Sequence, residues 1–405
     1  MVIKPEEAGM SAERLERITS HLENRYLQPG KIAGCQVAVA RHGHVAYFRS
    51  LGLMDLEREK RMRDDAIFRI YSMTKPITSV ALMMLFEEGA FQLADPIRRF
   101  IPEWAGLEVY ESGEAGSFAT VACEREMTVR DVLMHTSGIA AGFIGTHPVD
   151  AEYMKIGPRA QKGATLATLI DTLAKLPLKF SPGTRWNYGP STDVCGRLVE
   201  LLSGQSFDAF LEDRILGPLG MVDTAFRVAD DSLERFAANY GRRRDKTLKL
   251  IDDPETSPYR KPPSYLSGAG GLVSTTADYL RFCQMLLNGG ELDGERILSR
   301  KTLELMTVNH LPDGGDLSKL AVGAFSETAY EGVGFGLGFA VSESDVATQS
   351  VGAQGDYYWG GAASTIFWND PVEDLCVIFM TQLMPSATFN FRGQLKNLVY
   401  GSIID

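Results

Sequence analysis

The stretch Gly34-Cys-Gln-Val-Ala-Val-Ala-Arg41-His-Gly-His44-Val-Ala-Tyr-Phe-Arg-Ser50 gives the first indication of the fold. It contains two strand-like runs, Gly34–Arg41 and His44–Ser50, on either side of His42-Gly43. Two such runs with a short turn between them predict a β-hairpin. Ahead of it, Ser11–Tyr26 carries apolar residues at helical spacing behind a serine that can cap the helix. The chain is therefore predicted to open with an amphipathic helix and a hairpin.

The C-terminal part of the sequence has the complementary pattern. Three segments that alternate or run apolar predict strands, namely Phe335–Ser342, Ala363–Trp368 and Leu375–Gln382. Thr388–Ile403 has the pattern of a closing helix. We therefore predict an α/β (α+β) fold in which both ends of the chain contribute strands to one antiparallel sheet, flanked by helices.

The middle of the chain differs from its ends, because helix-like segments alternate there with loops rich in proline and glycine. The predicted helices are Thr74–Glu88, Thr128–His135, Thr165–Lys175, Thr192–Ser203 and Phe207–Ile215. We predict an α/β domain formed by residues 1–65 and 262–405, and a mainly helical inserted domain formed by residues 66–261. The active site is expected between them, with the long connections Ala140–Arg159 and Asp245–Ser264 lining its cleft.

The composition is that of a globular protein with ample apolar material for a core, since 44% of the 405 residues are hydrophobic and 23% are charged. This balance excludes a disordered, collagen-like or coiled-coil protein. Asp and Glu outnumber Lys and Arg by 52 to 41, so the net charge is −11. Binding to nucleic acid or to an anionic membrane is not expected at this charge. The expected partner is a small-molecule substrate, and the oligomeric state stays open.

The five cysteines are widely spaced, without a CxxC pair or a histidine at metal-ligand spacing. This indicates buried thiols in a reducing compartment rather than disulfides or a metal site. The N-terminus lacks the apolar segment of a signal peptide, and no apolar run approaches the ~20 residues of a membrane helix. A cytoplasmic protein is therefore expected.

Ser72 and Lys75, in Ile70-Tyr-Ser-Met-Thr-Lys75-Pro, are the first candidates for chemistry. A helix that begins near Ser72 places the two side chains on one face, one turn apart. A partly desolvated lysine held there can accept the proton of the serine hydroxyl, and the helix N-terminus favours negative charge at the serine. The spacing alone also fits a capping serine followed by a solvent-exposed lysine of the first turn.

Three further blocks follow along the chain. They are Met127-Thr-Val-Arg-Asp-Val-Leu-Met-His-Thr-Ser-Gly138, Phe180-Ser-Pro-Gly-Thr-Arg-Trp-Asn-Tyr188-Gly-Pro-Ser-Thr-Asp-Val-Cys-Gly196 and Tyr358-Trp-Gly-Gly-Ala-Ala-Ser-Thr365. With these residues the sequence resembles the serine β-lactamase and penicillin-binding-protein superfamily over nearly the whole chain. Within that superfamily it is most similar to the family VIII carboxylesterases, which implies a class C β-lactamase-like fold.

The resemblance implies a role for each motif residue. Ser72 is the nucleophile, Lys75 is its proton-accepting partner and Tyr188 is the third member of the catalytic set. The backbone amides of Ser72 and Ala362 form the oxyanion hole. Trp359-Gly360-Gly361 is the strand motif that lies beside the substrate. The family needs no cofactor and no metal.

Two departures from the family pattern bear on the substrate. Where the β-lactamases have a lysine that recognises the substrate carboxylate, this sequence has Trp359, whose indole offers apolar surface and a cation-π face without a positive charge. The second departure is that Tyr188 is followed by Gly189-Pro190 instead of the x-Asn of the β-lactamases. Both departures favour neutral esters over acidic β-lactams or peptides.

The resemblance thus implies a serine carboxylesterase that hydrolyses short- to medium-chain acyl esters through an acyl-enzyme at Ser72. Competing signatures such as Gly-x-Ser-x-Gly, HExxH and the Walker loop are missing from the sequence. His135, in the His-Thr-Ser-Gly block, is implied to be structural. Three alternatives stay open: an acyltransferase in which a bound alcohol resolves the same acyl-enzyme, a β-lactamase, and a binding module without turnover.

Overall fold

A computed structural model describes residues 3–142, 147–322 and 331–405 of the protein. The strands are β1 (Gly34–Arg41), β2 (His44–Asp55), β3 (Lys60–Arg61), β4 (Ile67–Arg69), β5 (Glu108–Glu114), β6 (Ser117–Ala122), β7 (Asn239–Arg242), β8 (Leu248–Asp252), β9 (Val273–Thr275), β10 (Glu291–Leu292), β11 (Glu295–Arg296), β12 (Val333–Phe335), β13 (Ala340–Ser342), β14 (Tyr357–Gly360), β15 (Ile366–Asp370), β16 (Leu375–Thr381) and β17 (Leu383–Met384). The α-helices are α1 (Ala12–Leu22), α2 (Thr74–Glu87), α3 (Val129–Leu133), α4 (Pro148–Ile156), α5 (Leu166–Leu173), α6 (Ser191–Ser203), α7 (Phe207–Leu211), α8 (Thr276–Leu287), α9 (Arg300–Met306), α10 (Leu317–Leu320), α11 (Asp345–Thr348) and α12 (Phe391–Tyr400).

The main sheet joins the two ends of the chain. Within the described ranges it has eight strands in the order β12-β13-β14-β15-β16-β1-β2-β3, and neighbouring strands are antiparallel. β1 pairs with β16, from Cys35 opposite Thr381 to Arg41 opposite Leu375. The N-terminal hairpin thereby extends a sheet made by the C-terminal strands. This arrangement confirms the predicted fold class, an antiparallel sheet built from both chain ends.

Helices cover both faces of this sheet. On one face Phe391 of α12 lies 4.8 Å from Phe379 of β16, measured between ring centroids, and α1 packs against α12. On the other face Tyr279 of α8 lies 5.1 Å from Phe367 of β15. Phe367 pairs with Ile378, the neighbour of Phe379, so the two phenylalanines point to opposite faces. β1 and β16 are buried along their whole length because both faces are covered.

The prediction of one strand over Phe335–Ser342 is wrong. Two short strands, β12 and β13, form a hairpin there. Gly338 lies in the turn at φ +101°, a conformation that residues with a side chain rarely adopt. A Cβ atom at this position would collide with the Ser79 hydroxyl, so the turn packs directly on α2. The apolar residues alternate in the same way in both strands of the hairpin, so this pattern does not indicate that a turn lies between them.

The five helices predicted for the middle of the chain are present with somewhat different ends, as α2, α3, α5, α6 and α7. The structure adds α4 and the pairs β5–β6 and β7–β8. Every residue of α2 from Thr74 to Leu85 is buried, and α2 packs against α6, so α2 is a central helix. Part of the connection Ala140–Arg159, residues 143–146, lies outside the described residues. The division into two domains stays a prediction.

The prediction that the cysteines are buried is confirmed for four of them and wrong for Cys123. All five are free thiols, four of them buried and Cys123 partly exposed. Across the parts of the chain that the structure describes, no helix combines the length and the apolar character that crossing a bilayer requires.

Candidate active site

Ser72 lies in a turn that leads into the central helix. β4 ends at Arg69, the residues Tyr71–Met73 form a 3₁₀ turn, and α2 begins at Thr74. The interpretation of Ser72 as a helix cap is therefore wrong, because the cap position belongs to Met73. Tyr71, directly before Ser72, has φ +42°, a strained conformation for a residue with a side chain. The turn presents the Ser72 hydroxyl to two hydrogen-bond donors.

The first donor is Lys75, which sits one helical turn further along the chain. Its Nζ atom lies 3.2 Å from Ser72 Oγ and 2.7 Å from the carbonyl oxygen of Ala269. The same Nζ lies 4.4 Å from the ring centroid of Tyr188. The Lys75 side chain is buried, so its amine is in contact with these protein groups and has little access to bulk water. The expected approach of lysine and serine is present.

The second donor is Tyr188, which comes from a distant part of the chain. Its hydroxyl donates to Ser72 Oγ at 2.7 Å. The backbone beside it is held by Asn187, whose amide N–H donates to the His135 carbonyl at 2.8 Å and whose Nδ2 donates to the Ile139 carbonyl at 2.8 Å. These bonds join the Tyr188 block to the His-Thr-Ser-Gly block. Tertiary packing therefore sets the position of the tyrosine.

Trp359 and its two glycines lie at the end of β14. The Trp359 side chain is buried, and its indole N–H donates to the Tyr188 hydroxyl oxygen at 3.3 Å. A Cβ atom on Gly360 would lie 3.0 Å from Nη2 of Arg392, which donates to the Trp359 carbonyl at 3.1 Å. Gly360 thus leaves room for the arginine. The indole, predicted as a surface for substrate, is in direct contact with the catalytic tyrosine candidate.

Gly361 brings this strand end against the turn that holds Ser72. A Cβ atom at Gly361 would collide with the Ile70 carbonyl and the Thr365 hydroxyl. The Gly361 amide donates to the Thr365 carbonyl at 2.7 Å and closes a tight turn. Ala362 is the next residue in that turn. Ile70 is two residues before Ser72, so the segments that carry the two predicted oxyanion amides are adjacent.

An aromatic cluster surrounds Tyr188. Its members are His135, Trp186, Phe335 and Trp359, with ring centroids 5.0 to 5.9 Å from one another or from Tyr188. Burial, and then the charge of Lys75, hold the pKa of His135 well below its usual range. A neutral, buried imidazole fits the structural role that the resemblance implies for His135. Trp186 and Phe335 were not singled out from the sequence, and Phe335 has no local signal because it lies far from the other blocks.

The carbonyl of Ala269 is a further site group that sequence reasoning missed. It accepts the hydrogen bond from Lys75, and a backbone carbonyl has no residue-type signature. The sequence signal that could have indicated this close approach is the run of small residues that contains Gly268. A Cβ atom on Gly268 would lie 2.8 Å from the Thr192 carbonyl oxygen. In the parts of the chain that the structure covers, no cluster of three or more His, Cys, Asp or Glu side chains is arranged to hold a metal ion.

Comparison with known proteins gives the family. The Beta-lactamase family model matches residues 19–400, so the chain belongs to the β-lactamase family. An uncharacterized protein of Mycobacterium tuberculosis is 34% identical over 362 residues, which cover 89% of this chain and 88% of that protein. Esterase EstB of Burkholderia gladioli is 29% identical over 395 residues, which cover 93% of this chain and 91% of EstB.

The fold of the chain is also that of a solved hydrolase. EstCE1, described as a hydrolase with promiscuous acyltransferase activity, superposes with a TM-score of 0.80 at 25% identity. The superposition covers 96% of this chain and 98% of EstCE1. These similarities support the resemblance on which the family expectation rested.

Proposed function

We propose that the protein is a serine carboxylesterase that hydrolyses short- to medium-chain acyl esters of small molecules through an acyl-enzyme at Ser72. The observation that carries the proposal is the convergence of Lys75 Nζ and the Tyr188 hydroxyl on Ser72 Oγ, at 3.2 and 2.7 Å. The similarity to an esterase and to a hydrolase over more than nine-tenths of the chain supports this assignment.

Acylation uses both partners of the serine. Ser72 Oγ attacks the ester carbonyl while its proton passes to the pair formed by Lys75 and Tyr188. Lys75 Nζ lies 4.4 Å from the ring centroid of Tyr188, so we assign the proton to the pair rather than to either residue. The amides of Ser72 and Ala362 donate hydrogen bonds to the oxyanion. Each such donor typically contributes on the order of 100- to 1000-fold in rate.

Collapse of the intermediate needs a proton on the leaving alcohol. Tyr188 supplies it, because its hydroxyl lies beside Ser72 Oγ and therefore close to the acyl carbon, bonded to that oxygen, from which the alcohol departs. A water molecule then enters, gives a proton to the same pair and attacks the acyl group. The acid is released and Ser72 regains its proton. The cycle needs no redox partner.

The substrate preference for neutral esters rests on Trp359. Its indole donates a hydrogen bond to Tyr188 without bringing a positive charge to the site. A substrate carboxylate therefore gains no ion pair from this position. We propose that β-lactam hydrolysis is a minor activity at most.

A second candidate is acyl transfer. EstCE1 is described as having promiscuous acyltransferase activity, and the first half-reaction would be the same in both cases. A bound alcohol would replace water in the second half-reaction. Product analysis in the presence of a short alcohol distinguishes the two: ester product marks transfer, and acid product marks hydrolysis.

The test is turnover of p-nitrophenyl esters of increasing acyl length, with nitrocefin alongside, by wild type, Ser72→Ala and Ser79→Ala. Ser79 is a matched control, because it is a buried serine on α2, the helix that follows Ser72, and has no hydrogen-bond partner among the described residues. Ester turnover that disappears in Ser72→Ala and persists in Ser79→Ala is expected. Turnover that persists in Ser72→Ala, or dominant nitrocefin cleavage, would contradict the proposal.

A further inference from the structure

A buried carboxylate lies behind the lysine of the site. Asp193 is on α6, five residues after Tyr188, and its side chain is almost fully buried. Its Oδ1 accepts the Ser267 hydroxyl at 2.7 Å and the Ala269 amide N–H at 2.9 Å. The acylation steps described above do not use this group. Burying a carboxylate costs folding free energy unless its oxygens accept hydrogen bonds, so a structural or functional role is expected for Asp193.

Asp193 holds the segment that receives Lys75. Residues 267–269 run in a narrow space between α2 and α6. There Thr78 Oγ1 of α2 donates to the Gly268 carbonyl at 2.7 Å, and a Cβ atom on Gly268 would lie 2.8 Å from the Thr192 carbonyl of α6. Asp193 fixes Ala269 at its amide, while the Ala269 carbonyl accepts Lys75 Nζ at 2.7 Å. Asp193 thus holds in place the Ala269 carbonyl, which accepts the hydrogen bond from Lys75.

The charges around this segment act on one another. Burial raises the pKa of Asp193, whereas its hydrogen bonds and the positive charge of Lys75 oppose that change. By reciprocity, an ionised Asp193 favours the ammonium form of Lys75. The titratable groups that face Asp193 or Lys75 from the surrounding elements are Tyr188, His135, Tyr265 and Cys195.

We infer that Asp193 is a positioning residue for Lys75, and that its charge sets the pH at which the Lys75–Tyr188 pair loses its proton. The inference rests on the proposed function, since it assumes that the proton of Ser72 passes to this pair. The deprotonated pair is the active form. An anion nearby stabilises the protonated pair, so it moves the acid limb of the rate profile to higher pH.

Two variants distinguish the effect of the Asp193 charge from the effect of the position of segment 267–269. Asp193→Asn keeps an oxygen that can accept both hydrogen bonds but removes the charge. Ser267→Ala keeps the charge but removes one of the bonds that hold the segment. Asp278→Asn is the matched control, because Asp278 is also a buried carboxylate, on α8, that accepts the Thr224 hydroxyl and the Asp223 amide, each at 2.8 Å.

The measurement is kcat/KM for p-nitrophenyl acetate from about pH 5 to about pH 10, a range that includes the ordinary histidine pKa and ends just below that of lysine. Labelling of Ser72 with a fluorophosphonate over the same range, in which the serine displaces fluoride from phosphorus, gives the reactivity of the serine without a second half-reaction. In Asp193→Asn we expect the midpoint of the acid limb to move about one unit to lower pH. In Ser267→Ala we expect kcat to fall severalfold with KM and the midpoint unchanged. Asp278→Asn should change neither kcat nor the midpoint of the acid limb.

A midpoint in Asp193→Asn that equals that of Asp278→Asn overturns the charge role. A Ser267→Ala variant with wild-type kcat overturns the positioning role, and this variant decides that point even where Asp193→Asn does not fold. If the proposed function itself is wrong, the result is distinguishable from these two outcomes, because Ser72 of the wild-type protein would then give no fluorophosphonate adduct at any pH.

Discussion

Replacing Trp359 with phenylalanine tests the hydrogen bond between the indole and Tyr188. The change keeps an aromatic ring near Phe335 and Tyr188, whose centroids lie 5.4 and 5.5 Å from that of Trp359. It removes the N–H that donates to the Tyr188 oxygen at 3.3 Å. Both side chains are almost fully buried, so bulk water is poorly placed to replace the lost donor.

The magnitude follows from one hydrogen bond, which contributes on the order of 1 kcal/mol. The indole stabilises negative charge on the Tyr188 oxygen more than it stabilises the neutral hydroxyl, so its loss favours the protonated Lys75–Tyr188 pair. A change of ~1 kcal/mol corresponds to an upward shift of ~0.7 pH unit in the acid-limb midpoint. Below that midpoint, kcat/KM should fall about fivefold.

The assay is the pH profile of kcat/KM for p-nitrophenyl acetate. Trp368→Phe is the control, because it makes the same change at another fully buried tryptophan, on the neighbouring strand β15. We expect the control to leave the midpoint in place. The reasoning is refuted if Trp359→Phe moves the midpoint no further than the control does, or moves it to lower pH.

Two further predictions concern the oxyanion turn and the buried histidine. Gly361→Ala places a Cβ atom against the Ile70 carbonyl and displaces the turn that carries Ala362, so acylation of Ser72, measured in single turnovers, should slow by about 100-fold or more. His135, whose pKa burial holds well below its usual range, stays neutral in the folded protein and takes up a proton on unfolding at acid pH, so the free energy of unfolding falls as the pH drops below about 6.5. His135→Asn tolerates the φ of +60° at this position and should reduce the loss of melting temperature between about pH 7.5 and about pH 5.5; an equal loss in both proteins would contradict the prediction.

The local patterns in the sequence predicted most of the secondary structure near the chain ends. The N-terminal hairpin and α1 were predictable because a turn dipeptide, a capping serine and a regular apolar spacing act over a few residues. Ser11 does accept the amide of Arg14 at the start of α1. The hairpin β12–β13 was not predictable in this way, because its turn depends on the contact between Gly338 and Ser79 of α2.

The candidate site likewise has a part that follows from local sequence and a part that depends on tertiary packing. Ser72 and Lys75 are three residues apart on one helical turn, so chain geometry alone brings them together, and motif resemblance added Tyr188 and the Trp359 block. The contacts that complete the site come from remote segments: the Ala269 carbonyl on Lys75, Asp193 behind it and the indole on the Tyr188 oxygen. They are made by long-range packing and in part by backbone atoms, which leave no pattern in the order of the residues. The two residues that we propose as the nucleophile and its nearest base are thus readable from the sequence, whereas the arrangement that positions them exists only once α2, α6 and β14 have packed together.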